Sequence, residues 1–232
     1  MLALPFPDRR PTLVGMVHLP ALPGAPAHAL PMDRILQRAR DDAHALFEAG
    51  FDAVLVENYG DTPVHPGAVP PETVAALARA VAGVVEAARG RPVGVNVLRN
   101  DARAALGIAA ATGAGFVRVN VHAGTMWTDQ GALTGRASET LRVRRALGLD
   151  CAILADVHVK HATPPPGATL EDSARDLVER AGADALVVSG PGTGRPTDPD
   201  RIGRVREALP RVPIFVGSGA TPETAPALVA AG

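Results

Sequence analysis

The feature that most constrains the fold is a regular alternation of short β-branched runs with longer Ala/Leu/Arg stretches of helical period. The periodicity predicts strands over Thr12–His18, Asp52–Asn58, Val93–Leu98, Phe116–His122, Cys151–His158, Ala185–Ser189 and Ile214–Gly217. Helices are expected over Asp33–Ala49, Pro71–Ala88, Asp101–Thr112, Ser138–Leu147, Thr169–Ala181, Asp198–Leu209 and Pro222–Ala231. Four helix-to-strand joints place a glycine (Gly50, Gly113, Gly148, Gly182) where a helix ends in a left-handed cap before the next strand. Pro71 and Pro222 suit a first helical position, and Ser138, Thr169 and Thr221 suit N-caps. Seven strand–helix units in series, with no run of consecutive strands, imply a parallel sheet wrapped by helices.

An open doubly wound sheet and a closed barrel share that pattern, and the strand faces decide between them. Central strands of an open sheet are apolar on both faces. Here Val117, Val119 and Val121 alternate with Arg118, Asn120 and His122, and Ile153, Ala155 and Val157 alternate with Leu154, Asp156 and His158. Val93, Val95 and Val97 likewise alternate with Gly94, Asn96 and Leu98. One apolar face and one that grows polar toward the strand's C-terminal end is what a barrel lumen beneath an active site requires. The expected architecture is therefore a TIM-type (β/α)8 barrel, a single domain over residues 1–232. Seven β/α units are visible and the eighth is missing from this chain, either by truncation or because another chain supplies it.

Composition narrows the function. The chain of 232 residues balances 23 basic against 24 acidic side chains and holds seven aromatic residues. That gives neither the basic footprint nor the stacking platform of a nucleic-acid binder. No apolar run reaches the roughly 18 residues of a membrane span, and no secretory leader is legible at the N-terminus, so a cytoplasmic location is expected. Cys151 sits in an apolar run and reads as an inert buried thiol. All basic residues but one are arginine; the exception is Lys160. Asparagine occurs only at positions 58, 96, 100 and 120, and these four positions and Lys160 all fall at or just after an expected strand.

Residues at strand C-terminal ends are the candidates for chemistry. They are His18, Glu57, Asn58, Asn96, Arg99, Asn100, Arg118, Asn120, His122, Asp156, His158, Lys160 and Ser189. So much inward charge suits a ligand site; the other reading is a salt-bridge network that closes the lumen. The Asp156–Lys160 segment is the densest, with residues 156, 158 and 160 on one face. Lys160 can serve as a Schiff-base nucleophile, a general base or a phosphate ligand, and the bland alternative is a surface lysine. Asp156 can act as general base or orient the lysine, with Glu57, His122 and His158 as further acid/base groups. His18, Asn58, Asn96, Arg99, Arg118, Asn120 and Ser189 would bind substrate. His161, of opposite parity, reads as structural or supporting. No compact metal-ligand motif exists, so no dedicated metal is expected, and Mg²⁺ would enter only as a bridge to a phosphate.

Two glycine clusters, one with Gly192, Thr193 and Gly194 and the other with Gly217, Ser218 and Gly219, suit a phosphate through bare backbone N–H groups, or are simply turns. Neither is a Walker A or a Rossmann fingerprint. Long loops follow the second and fourth strands. The second of these, over 123–136, holds the sole tryptophan and reads as a lid or a contact within a homo-oligomer.

Several ordered blocks, among them Gly15-Met16-Val17-His18-Leu19-Pro20, Glu57-Asn58-Tyr59-Gly60-Asp61, Val97-Leu98-Arg99-Asn100-Asp101, Arg118-Val119-Asn120-Val121, Thr128-Asp129-Gln130-Gly131 and Asp156-Val157-His158-Val159-Lys160-His161, resemble the BtpA/SgcQ family over nearly the whole chain. The resemblance implies a barrel of the ribulose-phosphate-binding type, whose members continue through an eighth strand with a further phosphate loop. It transfers activity poorly. The family name implies photosystem I biogenesis with peripheral membrane association, and other members suggest sugar or nucleotide chemistry. The expected function is an enzyme acting on a small phosphorylated metabolite by acid/base or lysine chemistry. The alternative is a non-catalytic assembly factor.

Overall fold

The computed structural model describes residues 1–7 and 11–232. All seven expected strands form: β1 (Val14–His18), β2 (Ala53–Glu57), β3 (Val93–Asn96), β4 (Phe116–Val119), β7 (Ala152–Val157), β9 (Ala185–Val188) and β10 (Ile214–Val216). They follow one another across the sheet in chain order. The pairings of β1 with β2, β2 with β3, β3 with β4, β7 with β9 and β9 with β10 are parallel, as an α/β fold of β/α units demands. The three intervening strands, β5 (Thr125–Thr128), β6 (Gly131–Thr134) and β8 (Ala162–Thr163), form a separate antiparallel sheet.

The chain divides into two compact units. The first comprises Leu4–Arg118 and Arg142–Ala152. Its helices α1 (Met32–Glu48), α2 (Pro71–Ala88) and α3 (Ala102–Thr112) each bury one stripe. On α2 the stripe is Thr73, Ala76, Leu77, Ala80, Val81, Val84 and Ala88, the spacing of one helical face. On β4, Phe116 and Arg118 share a face, and the fully buried Phe116 ring meets Phe6 edge-on at 5.0 Å between centroids. Gly94, opposite Phe116 in register, leaves the room for that ring: a Cβ there would lie only 2.3 Å from it.

The second unit comprises Met1–Ala3, Val119–Leu141 and Ile153–Gly232. Its core joins Ala155 and Val157 of β7 and Leu186 and Val188 of β9 to Leu170, Ala174 and Leu177 from the helix that follows β7, and to Ile202 and Val205 of α6 (Pro199–Ala208). That earlier helix, α5, is regular over Leu170–Arg175 and widens into a π-helical turn over Asp176–Arg180. Asp184, 1% exposed, accepts from the backbone N–H of Ile153 at 2.9 Å and of Leu2 at 2.5 Å, which pins β7 and the chain's start to the β9 entry.

All four predicted helix-to-strand glycines adopt positive φ, between 64° and 90°. Pro71 opens α2, and Thr169 caps α5 by accepting from Asp172 N. Three local expectations are corrected. Ser138 lies inside α4 (Ala137–Ala146), not at its cap. Thr221 and Pro222 belong to a turn closed by Thr224, so α7 begins only at Ala225 (Ala225–Ala231). The loop over 123–136 contains the β5–β6 hairpin, whose residues Met126 and Leu133 pack with Val121 and Val159. Cys151 is buried, as expected.

Candidate functional site

β4 ends at Val119 and β7 at Val157, both shorter than expected. The consequences differ for each side chain beyond the strand ends. Asn120, immediately after β4, donates from Nδ2 to Asp156 Oδ2 at 3.0 Å. Both residues are 4% exposed, and both line a cavity of about 180 Å³ that lies wholly within the second unit. The wall also includes His158, Ser173 and Asp176, the apolar Val121, Met126 and Leu177, and Thr125 from the hairpin. The segment read as a lid thus forms one wall of the cavity, while Trp127, on the same strand, is 56% exposed.

The expected single face of residues 156, 158 and 160 does not exist, because His158 turns into the left-handed region (φ 51°) directly after the strand, as does His161 (φ 57°). His158 instead reaches Ser173 Oγ with Nε2 at 2.9 Å. Burial, reinforced by the Arg201 guanidinium, holds the His158 pKa below its ordinary 6.5; Glu171 opposes the shift and Arg204 adds to it. Glu171 is itself clamped by Arg204, Nε to Oε1 at 2.5 Å and Nη2 to Oε2 at 2.9 Å, and its pKa falls to about 2. The neutral imidazole is therefore the form that the fold prefers. His158 contributes full stability above 6.5, and that contribution is lost as pH falls through the lowered folded value. A His158→Asn variant, which keeps a residue tolerant of positive φ, is expected to lose less melting temperature than the wild type between pH 7 and pH 5. Parallel losses in the two proteins would refute this assignment.

Lys160 is half-buried on the turn after β7 and, among the described residues, is not part of the cavity wall. Next to it, His161 Nε2 accepts from the Thr193 backbone N–H at 3.1 Å and lies 3.2 Å from Thr193 Oγ1. His161 therefore anchors the glycine-rich loop. The two glycine-rich segments pack on one another. A Cβ on Gly190 or Gly219 would lie within 2.6 Å of Arg195 O, so only glycine permits this approach. Ser218 Oγ accepts from Gly190 N at 3.2 Å, Ser218 O accepts from Thr197 Oγ1 at 3.0 Å, and Gly217 N donates to Val188 O at 2.9 Å. Part of the donor set expected to face a phosphate is thus engaged within the loops. Ser189, 2% exposed, has an Oγ with no hydrogen-bond partner among the described residues.

His122 does not share a strand face with Asn120. The strand has ended three residues earlier, and His122, fully buried, places Nε2 3.0 Å from Ala181 O at the end of the helix after β7. Nothing in the sequence marked that carbonyl as its partner.

The first unit carries a second polar cluster at the ends of β1, β2 and β3. Glu57, 6% exposed, accepts from Asn96 Nδ2 at 2.6 Å and lies 3.6 Å from His18 Nε2, and His18 stacks on Tyr59 at 4.5 Å between centroids. Such a carboxylate–imidazole pair can exchange a proton. Asn58 has a different task. Its Oδ1 accepts from Leu98 N at 2.7 Å and its Nδ2 donates to Asp61 Oδ2 at 2.9 Å, while Asp61 Oδ1 accepts from Leu22 N at 2.7 Å. Arg118 is buried at the end of β4, and Arg99 is half-buried, its backbone N–H donated to His65 O at 2.9 Å. Among the described residues no three His, Cys, Asp or Glu side chains gather to hold a metal ion, and no helix is long and apolar enough to cross a membrane.

A model of the BtpA family matches residues 9–231. An uncharacterised protein of Thermococcus kodakarensis is 47% identical over 221 residues, 95% of this chain and 82% of that protein. The photosystem I biogenesis protein BtpA of Synechocystis is 42% identical over 208 residues, 90% of this chain and 72% of that protein. Among solved structures, 2,3-dimethylmalate lyase aligns with a TM-score of 0.58 at 13% identity, covering 97% of this chain and 75% of that one. Orotidine 5'-phosphate decarboxylase from Pyrococcus horikoshii aligns with a TM-score of 0.51 at 16% identity, covering 95% and 86%. These structural neighbours are TIM-barrel enzymes, and the likeness establishes the fold.

Proposed function

For this chain, which belongs to the BtpA family, we propose an enzymatic function: proton transfer on a small phosphorylated metabolite, with Asp156 as the acid/base group. The observation that carries this reading is the Asn120–Asp156 pair on the cavity wall. A carboxylate only 4% exposed is held by an amide whose own Oδ1 has no hydrogen-bond partner among the described residues. A ligand in the cavity would meet this wall, and Asp156 is the carboxylate there that takes its proton. His158, kept neutral and oriented by Ser173, can relay that proton.

Lys160 is assigned to the ligand's phosphate. Along the chain it stands between His158 on the cavity wall and His161, which anchors the loop with Gly192, Thr193 and Gly194. The first unit, by itself, offers a separate candidate acid/base group in Glu57, held by Asn96 and His18, with Arg99 and Arg118 as that unit's candidate anion contacts. His122 and Asn58 are assigned structural roles, because His122 Nε2 lies against the Ala181 carbonyl and Asn58 joins Leu98 N to Asp61.

The test is a thermal-shift panel of phosphosugars, nucleotides and inorganic phosphate, with and without Mg²⁺. A ligand at 100 times its Kd stabilises by about 2.7 kcal/mol, which for a chain of this size is a rise of roughly 5–10 °C. The expected result is a selective rise with one phosphorylated class, lost in Lys160→Ala while the unliganded melting temperature stays put. A flat panel, together with unimpaired function of Lys160→Ala and Asp156→Asn in a biogenesis assay, would replace this reading by the non-catalytic assembly factor that the name of the Synechocystis relative suggests.

A further inference from the structure

The hairpin that walls the cavity has a second face. β5 lies between β6 and β8, and its side chains alternate. Met126 and, on β6, Leu133 pack with Val121 and Val159, so Thr125, Trp127, Ala132, Thr134 and Thr163 occupy the opposite face. Trp127 stands in the middle of it, 56% exposed. Its neighbours in register are Ala132 on one side and Thr163 on the other, both exposed and both too short to cover an indole. Resting on the enzymatic reading above, we infer that this face binds a neutral sugar ring stacked on Trp127, which makes the ligand a sugar phosphate.

Size, chemistry and position point to that occupant. Strands of four, four and two residues give a surface of about 14 Å by 14 Å, from roughly 3.4 Å per residue and 4.8 Å per strand. That is about 200 Å², a quarter of the roughly 800 Å² that each partner gives to a stable protein interface, and it fits one small molecule. The face of an indole is the negative pole of its quadrupole and attracts the C–H hydrogens on the apolar side of a sugar ring. Around it stand the hydroxyls of Thr125, Thr134 and Thr163, which both donate to and accept from ring hydroxyls. A nucleobase would stack as well, but its edge needs donors and acceptors fixed in a plane, and rotating threonine hydroxyls do not fix them. Among the described residues neither a lysine, an arginine nor a second large apolar side chain projects from this face, and a lipid surface calls for both kinds. Thr125, two residues or about 7 Å along the strand from Trp127, also lines the cavity, so the edge of the ring nearest Thr125 faces the site. Its Oγ1 lies 3.4 Å from Thr134 Oγ1. Thr163, beside Trp127, follows Lys160 by three residues, at most roughly 10 Å of chain, which leaves the phosphate of a stacked ring within reach of the lysine assigned to it.

Trp127 is the only tryptophan in the chain, so the tryptophan fluorescence of the full chain reads this face alone. The probes are the methyl glycosides of glucose, galactose, mannose and ribose, with sorbitol, adenosine and phosphatidylcholine vesicles as comparisons. At least one glycoside is expected to change the emission saturably, while sorbitol, with hydroxyls but no ring, and the vesicles leave it unchanged. In saturation-transfer NMR, Trp127→Ala is expected to weaken that glycoside by about tenfold and Trp127→Phe, which keeps a ring, by about threefold or less. The comparison of glycoside with sorbitol stands on the wild-type chain alone if neither variant folds. Emission unchanged by every glycoside overturns the inference, as does sorbitol binding equally well or adenosine binding more tightly than all the glycosides. A blue shift with vesicles, or a shift on diluting the protein alone, also overturns it and names a lipid surface or a second copy of the chain as the occupant. A glycoside response without turnover of any sugar phosphate would leave the stacking face standing and remove the enzymatic reading. Turnover of a sugar phosphate with kcat/KM unchanged in Trp127→Ala would do the reverse.

Discussion

Asp156→Asn is expected to lower kcat/KM for the phosphorylated substrate by about 10²- to 10⁴-fold, the range that a positioned general acid/base contributes. The substitution is close to isosteric, and an amide at 156 can present its carbonyl oxygen to Asn120 Nδ2, so the hydrogen bond at 3.0 Å survives. What is lost is the negative charge and, with it, the capacity to take and return a proton. Asp156 is not the residue that holds its strand in place, since the β7 backbone is pinned by Asp184 through Ile153 N–H. The melting temperature is therefore expected to move by no more than about 3 °C, corresponding to roughly 1 kcal/mol. Two measurements separate chemistry from binding. If Asp156 acts only by donating its lone pairs to a ligand hydroxyl, KM rises with kcat nearly unchanged; if it transfers the proton, kcat falls. An Asp156→Asn protein with kcat within twofold of the wild type would remove Asp156 from the mechanism.

The fold was legible because its signals are local and repeated. Glycines 50, 113, 148 and 182 announce helix ends through a backbone conformation that other residues resist, and each indeed has positive φ. Alternating apolar residues on β3, β4 and β7 report one apolar face because strand parity is a property of the backbone itself. Parity also set the limit. It holds only while the strand lasts, and the strands end at Val119 and Val157, so the positions of His122, His158 and Lys160 could not be extrapolated from Asn120 and Asp156. The left-handed turn at His158 has no glycine to announce it.

The hairpin over 125–134 was missed for a similar reason. Its strands have four residues each, too short for a periodic signal, although Asp129-Gln130-Gly131 between β-prone Thr125–Thr128 and Ala132–Thr134 was a usable turn cue. The glycine-rich loops show the opposite error. Glycine that permits close approach to a phosphate looks the same in sequence as glycine that permits one loop to lie against another, and Gly190 and Gly219 are of the second kind.

Asn58 shows the same ambiguity in a polar side chain, and its replacement by alanine carries the largest expected stability loss. It was expected to contact substrate because asparagine is scarce here and stands at a strand end. In the structure its amide joins two loops instead: Oδ1 accepts from Leu98 N at 2.7 Å, and Nδ2 donates to Asp61 Oδ2 at 2.9 Å. Asn58 is 1% exposed and Asp61 7%, so water cannot replace what is lost. Asn58→Ala strands one backbone donor and one face of a buried carboxylate, at about 1–3 kcal/mol for an unsatisfied group and more where a charge is involved. The expected loss is about 2–4 kcal/mol, a fall of roughly 5–15 °C in melting temperature. Asn58→Asp discriminates further. It keeps an acceptor for Leu98 N but sets a second carboxylate 2.9 Å from the first, so it is expected to be at least as destabilising at pH 7 and to recover partly near pH 4, where the pair can share a proton. A substrate contact predicts otherwise: both variants would melt like the wild type and fail only in binding.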